Sequence, residues 1–378
     1  MKAEKWLLCW GLIVVTILGV LGLLVYRVDP FFHYHKPDTG RYYYTLDNQR
    51  SQNDGIIRNF DYDAIIIGSS MTENFRTSEA EQLFQRRFIK TVFNGGSYKE
   101  MNDNIERALE SHPECSLVIR CLDIERFFDS WDAMRTDLGE FPTYLYDSNP
   151  LNDVNYLLNR DVLFGRVFPM IAARREAGFQ PGITSFDDYS RTQERHTFGI
   201  HTVCPYGIER RWPEEQEHLT EEDRERIREN IERNMTATAD KYPDVVFYYY
   251  YPPYSADAWN DWGNQGLIYK KLEAEAYITD LILPHQNIRL FSFHNKTDLT
   301  TNLNHYTDSY HYAAWINSLI LQWMHDGTGQ LTADNVQDYR NEEYEFYTTF
   351  DYESINGQED YANDTQAAEE FRAELTGT

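Results

Sequence analysis

Cysteine is scarce: Cys9, Cys115, Cys121 and Cys204 are the four in 378 residues. They are too few and too scattered for a disulfide framework, and Cys115 and Cys121 flank a short apolar strand as small core residues more readily than as a redox pair. Basic residues are outnumbered, 35 against 61 acidic, for a formal charge of −26. Such a surface repels a phosphate backbone over most of its extent, which excludes nonspecific nucleic-acid binding, and the acidity otherwise serves solubility. Also lacking is a second hydrophobic run able to carry the chain back across a bilayer.

What is present first is one such run. Trp6 through Tyr26 holds no charged residue and is rich in Leu, Val and Ile, enough helix at about 1.5 Å per residue to cross roughly 30 Å of hydrocarbon. Trp6, Trp10 and Tyr26 stand near its ends, where amphipathic rings suit the headgroup level, with Lys2 and Lys5 before it and Arg27 after. The expectation is a single-pass anchor at 6–26 held in membrane lipid, a short cytoplasmic N-terminus at 1–5, and the bulk outside the cytoplasm. The alternative is a cleaved secretory signal, against which stand the length of the run and the lack of a small-x-small cleavage site.

A juxtamembrane segment, 27–60, carries the aromatic collar Asp29-Pro30-Phe31-Phe32-His33-Tyr34-His35. Its two histidines lack a convincing third ligand, so packing is expected of them and not metal binding. From 61 to 329 a rhythm of strand, polar turn and helix sets in. Strands are expected at Ala64–Ile67, Thr91–Phe93, Leu117–Leu122, Val245–Tyr251 and Ile288–Phe293. Helices are expected from about Ser78, with Glu81 completing a capping box, then over Met101–Leu109, Glu221–Asn234 behind a Thr220 cap, and Leu267–Leu283. Alternation of this kind predicts an α/β fold with a doubly wound, mainly parallel sheet and ligands beyond the carboxyl ends of its strands. Residues 128–213 break the rhythm and read as a lid or substrate-shaping insertion. The 330–378 extension is acidic and tyrosine-rich, its aromatics placed to clasp the core and its last residues from about Thr365 loosely ordered or a surface helix.

Chemistry is expected of Ser70, Asp308 and His311. Ser70 directly follows the first buried strand, at the mouth of the sheet, but a serine needs a histidine base and an acidic orienting group before it is a nucleophile. Both occur after the last strand, in His305-Tyr306-Thr307-Asp308-Ser309-Tyr310-His311, where Asp308 and His311 lie three apart. Plainer readings stand beside these: Ser70 as a helix cap, Asp308 with His311 as a cap and a packed ring, and His305 as a metal ligand with them or as packing.

Gly68-Ser69-Ser70 and Asp308-x-x-His311 resemble the first and last motif blocks of the SGNH, or GDSL-like, hydrolase family over roughly residues 61–325. The resemblance implies a three-layer α/β/α flavodoxin-like fold and serine-dependent ester hydrolysis or acyl transfer, with Ser70 as nucleophile, His311 as base and Asp308 as the third member. With its membrane anchor the chain resembles cell-envelope acyl-handling proteins of the D-alanyl transfer and alginate O-acetylation type. An envelope polysaccharide or teichoic-acid-like substrate and a membrane acyl-donor protein are the partners this implies. No metal, nucleotide or organic cofactor is required. Ser69 stands where the family's commoner form has aspartate, a departure shared by the envelope branch. Asn94-Gly95-Gly96 keeps the turn of the second block, so backbone N–H groups of Ser70 and Gly96 are the expected oxyanion donors, though Gly96 also reads as a purely conformational glycine. In the third block Asp123 replaces the usual asparagine, and an ionised carboxylate opposes an oxyanion. Asp123 is therefore expected to contact a substrate hydroxyl or to be structural. The reading of another class is a catalytically degenerate envelope scaffold or glycan-binding protein.

Overall fold

A computed structural model describes residues 3–137, 139–189, 197–361 and 365–376, so parts of the expected N-terminus (1–2) and insertion (190–196) lie outside the described residues. The chain divides into two compact units, Met1–Asp61 with Thr136–Ser190, and Tyr62–Arg135 with Arg191–Thr378.

In the first unit, helix α1, Ala3–Val28, is long and apolar enough to cross a membrane and leaves most of its side chains uncovered, a pattern consistent with a single span. The aromatic collar then wraps around one carboxylate. Buried Asp29, in the left-handed region at φ 45°, accepts the backbone N–H groups of His33, Tyr34 and His35 and the phenol of Tyr156. His33 is held by Arg58 and Asp153, and the His35 ring nitrogens each lie 2.8 Å from a backbone carbonyl, of Lys36 and Tyr26. Helix α2, Gln49–Asn59, follows, and the two-residue strands Tyr43–Tyr44 and Gly182–Ile183 pair in parallel. Most of the segment expected as an insertion, 136–190, thus belongs with the collar.

The second unit is a mixed α/β domain with a mostly parallel sheet flanked by helices. Its strands are β1 (Ala64–Gly68), β2 (Phe88–Val92), β3 (Leu117–Cys121), β4 (Val246–Tyr251), β5 (Ile288–Ser292) and β6 (Gln330–Leu331). They lie in the order β2-β1-β3-β4-β5-β6, parallel except for the last pair. β1 through β3 are buried at every residue, as strands covered on both faces must be. Lys90 in β2 and Arg120 in β3 are buried too, and each donates to two backbone carbonyls. The chain moves from β1 to β2 on one side and returns to β3 on the other. This reversal opens a crevice beyond the carboxyl ends of β1 and β3.

The longer helices of this unit among the described residues are α3 (Thr77–Phe84), α4 (Tyr98–Ser111), α5 (Glu221–Ile231), α6 (Ala256–Asn264), α7 (Ile268–Ile282), α8 (Ala314–Asp326), α9 (Val336–Thr349) and α10 (Thr365–Thr376). Thr220 and Asp223 form the expected capping box on α5, and Ser97 with Glu100 form another on α4. The box expected at Ser78 and Glu81 is absent. α3 begins at Thr77, and Glu81 instead accepts the N–H of Phe88 at the start of β2. The extension after 330 contributes β6 and α9, whose Tyr347 stacks on buried Trp259 with ring centroids 4.1 Å apart.

Candidate active site

Gly68 ends β1 against the start of the next turn. A Cβ there would lie 2.5 Å from Thr72 Cγ2 and 3.3 Å from Cys121 Cβ, so only glycine lets the chain fold back so tightly. The turn, Ser70–Thr72, is fastened from three sides. Thr72 Oγ1 donates to Ser69 O, Asn317 of α8 donates to Met71 O, and the Lys90 ammonium donates to the carbonyls of Glu73 and Phe75. Ser70 is thereby presented half-buried at the strand mouth.

His311 arrives from the other end of the sequence on a tight loop closed by the bridge between Tyr306 and Tyr312. Within it Asp308 Oδ1 accepts the N–H groups of Tyr310 and His311, both at 2.8 Å, which fixes the carboxylate beside the ring. Ser309 pins the loop to the start of α6: its carbonyl accepts from Ser255, and its hydroxyl donates to Asp257 at 2.6 Å.

Ser70 Oγ lies 2.7 Å from His311 Nε2, and His311 Nδ1 lies 2.8 Å from Asp308 Oδ2 and 3.0 Å from Oδ1. An ionised carboxylate only accepts, so Nδ1 carries the proton and Nε2 of the neutral ring is left to accept from the serine hydroxyl. Burial pushes the His311 pKa down, but its bond and charge interaction with Asp308, aided by Glu73 and Asp123, outweigh burial and leave it raised. Burial pushes Asp308 up, and the hydrogen bonds and charge of His311 outweigh that and leave it lowered. The pair can hold and return a proton taken from Ser70.

The oxyanion side differs from expectation. The Gly96 N–H is committed to Phe93 O at 2.6 Å, because the Asn94-Gly95-Gly96 turn closes on itself, so in this conformation it does not face an oxyanion. A Cβ on Gly96 would lie 2.6 Å from Phe93 Cβ and 2.8 Å from Phe93 O, which makes this glycine conformational. The Ser70 N–H has no acceptor among the described residues. Asp123 lies just past the end of β3, the strand paired with β1. Its Oδ1 accepts the Tyr254 phenol at 2.7 Å, while buried Oδ2 has no hydrogen-bond partner among the described residues.

Sequence reasoning passed over Tyr254, Lys90 and a buried ionic cluster. Glu275 of α7, His294 after β5 and Glu343 of α9 bring ligand-type atoms within 4.8 Å of one another, the one such group among the described residues. His294 Nδ1 is 2.8 Å from Glu275 Oε2 and 3.1 Å from Glu343 Oε1, and the Tyr339 hydroxyl lies 2.8 Å from Glu275 Oε1 and 2.9 Å from Glu343 Oε1. The His294 ring also stacks on Tyr254 with centroids 5.7 Å apart. His305 is packed between Trp315 and Phe371, and burial lowers its pKa to about 4, as befits a neutral core ring. No family model, curated protein or solved structure matches the chain.

Proposed function

We propose that the chain is a serine-dependent enzyme that hydrolyses or transfers acyl esters on a carbohydrate or cell-envelope polymer, held at the membrane by α1 with its domain outside the cytoplasm. The observation that carries this reading is the unbroken chain of hydrogen bonds from Ser70 Oγ through His311 to Asp308. Ser70 attacks the ester carbonyl as His311 takes its proton, and the tetrahedral adduct collapses as His311 returns that proton to the leaving alcohol. Water, or a sugar or alditol hydroxyl, then cleaves the acyl-enzyme by the same route. The Ser70 N–H is the oxyanion donor the site offers. Substrate binding would have to turn the 94–96 peptides if Gly96 is to supply a second.

The motif resemblance and the strand order, which follows the 2-1-3-4-5 pattern of flavodoxin-like sheets before the antiparallel edge, favour the three-layer SGNH-like reading. The unpartnered Asp123 Oδ2 favours a hydroxyl-bearing substrate, because a buried carboxylate oxygen gains most from a donor. A noncatalytic glycan-binding scaffold is the second reading, favoured by the committed Gly96 N–H and by Asp123 in place of an amide. Turnover of a small activated acyl ester separates the two. Wild type should turn it over, and Ser70→Ala and His311→Gln should each lose at least roughly a thousandfold in kcat with unchanged melting temperature. Equal rates in wild type and both variants would leave the binding reading.

A further inference from the structure

The first unit places a second apolar surface beside the membrane helix. Val15, Leu18 and Leu23 of α1 face Leu151, Val154 and Leu157 across an open groove of about 690 Å³. The contact is direct at Gly22, where a Cβ would stand 3.8 Å from Leu157 Cβ and 4.0 Å from Leu158 Cδ2, ordinary packing distance. The outward side of this wall is bare: Leu151 is 84% exposed, Phe164 66% and Val154 50%.

Depth decides what covers it. The uncharged part of α1 ends at Tyr26, so Gly22 lies about 6 Å and Leu18 about 12 Å inside that end at 1.5 Å per residue. If α1 spans the bilayer, side chains packed against Gly22 and facing Leu18 are within the hydrocarbon of the leaflet next to the domain, whichever way the helix points. Water does not fill a groove at that depth. Of the charges in 150–168, Asp153 accepts the Tyr34 phenol and Arg166 is paired with Asp47, while Arg160 and Asp161 are exposed. Bare apolar side chains interleaved with charged ones, at the boundary about 5–10 Å below the headgroups, are the habit of an interfacial element.

We propose that residues 150–168 form a second membrane contact, an interfacial element dipping into the domain-side leaflet beside α1, with lipid acyl chains filling the groove between them. The inference rests on α1 being a membrane span. It makes this part of the chain a depth anchor that fixes the unit against rotation about a single helix.

The test uses the full-length protein in nanodiscs of phosphatidylcholine and phosphatidylglycerol carrying a photoactivated carbene on an acyl chain, with adducts mapped by mass spectrometry. Adducts are expected on α1 and on the 150–168 peptide. In the double variant Leu151→Glu, Val154→Glu, adducts on 150–168 should fall severalfold while α1 stays labelled. Labelling of α1 with 150–168 no more modified than the α9 peptide overturns the proposal. An unlabelled α1 overturns the span reading, and the proposal with it.

Discussion

The proposed substrate preference rests on Asp123. Tyr254 occupies Oδ1, and buried Oδ2 has no partner among the described residues, so a hydroxyl donor from a bound sugar or alditol would relieve it. Asp123→Asn keeps the shape and removes the charged acceptor. Its expected effect is a loss of about 1.5–3 kcal/mol, roughly 10–100-fold in kcat/KM, toward a hydroxyl-bearing acceptor, with a small activated ester little affected. Equal losses on both substrates would instead assign Asp123 to the geometry of the site. The buried cluster gives a second residue-scale test. Burial and the neighbouring Glu275 charge raise Glu343 to about 7, so the folded state keeps a proton that the unfolded chain releases near 4.5. Stability from this group is therefore full below pH 4.5 and lost as pH rises through about 7. For His294, burial lowers and the two glutamates raise, to about 10, so its contribution is full below 6.5 and lost as pH rises through about 10. Glu343→Gln should flatten the fall in urea midpoint between pH 4.5 and 7, and an unchanged slope would remove Glu343 as its source.

At the scale of elements, the C-terminal helix α9 is part of the core. Tyr347 is fully buried, stacks on Trp259, and donates to His294 O at 2.6 Å. Tyr347→Ala should cost about 3–5 kcal/mol, the range for deleting a large aromatic side chain, measured by denaturant unfolding of the solubilised protein; a loss under 1 kcal/mol would mean the aromatic clasp is ornamental. Ala64–Gly68, uniformly apolar, and Leu117–Cys121, apolar but for Arg120, were legible nearly to the residue because burial on both faces favours a near-continuous hydrophobic run. β2 starts at Phe88, three residues before the expected strand, and carries Lys90 buried within it; the ammonium donates to the carbonyls of Glu73 and Phe75, which no local pattern announces. β6 is two residues long and carries no periodicity. The Ser78/Glu81 spacing misled because Glu81 found another backbone donor, Phe88 N. Ser70 and Asp308-x-x-His311 were legible as a strand-end serine and a short-range pair. Tyr254, Glu275, His294 and Glu343 were not, since only the folded sheet brings them together. The Asn94–Gly96 turn was legible, but the direction of its N–H was not.

Over the whole molecule, a sheet of mostly parallel strands gathers Ser70 from its beginning and His311 from near its far end, 241 positions apart, to one bond of 2.7 Å. Such convergence places the crevice of the second unit at the centre of the account, with α1 as a single membrane-spanning candidate ahead of it. If the serine is the nucleophile, the raised His311 pKa puts its loss of a proton, and hence the rise of reactivity with pH, above the ordinary imidazole value of about 6.5. Asp308→Asn should move that rise to lower pH by withdrawing the charge that raises it. The most direct measurement is reaction of the full-length protein with a fluorophosphonate across pH 5–9, the modified peptide being sequenced by mass spectrometry. A single adduct on Ser70, abolished in His311→Gln and shifted to lower pH in Asp308→Asn, is the predicted result. An adduct on another residue, or a wild type as unreactive as Ser70→Ala, would contradict it.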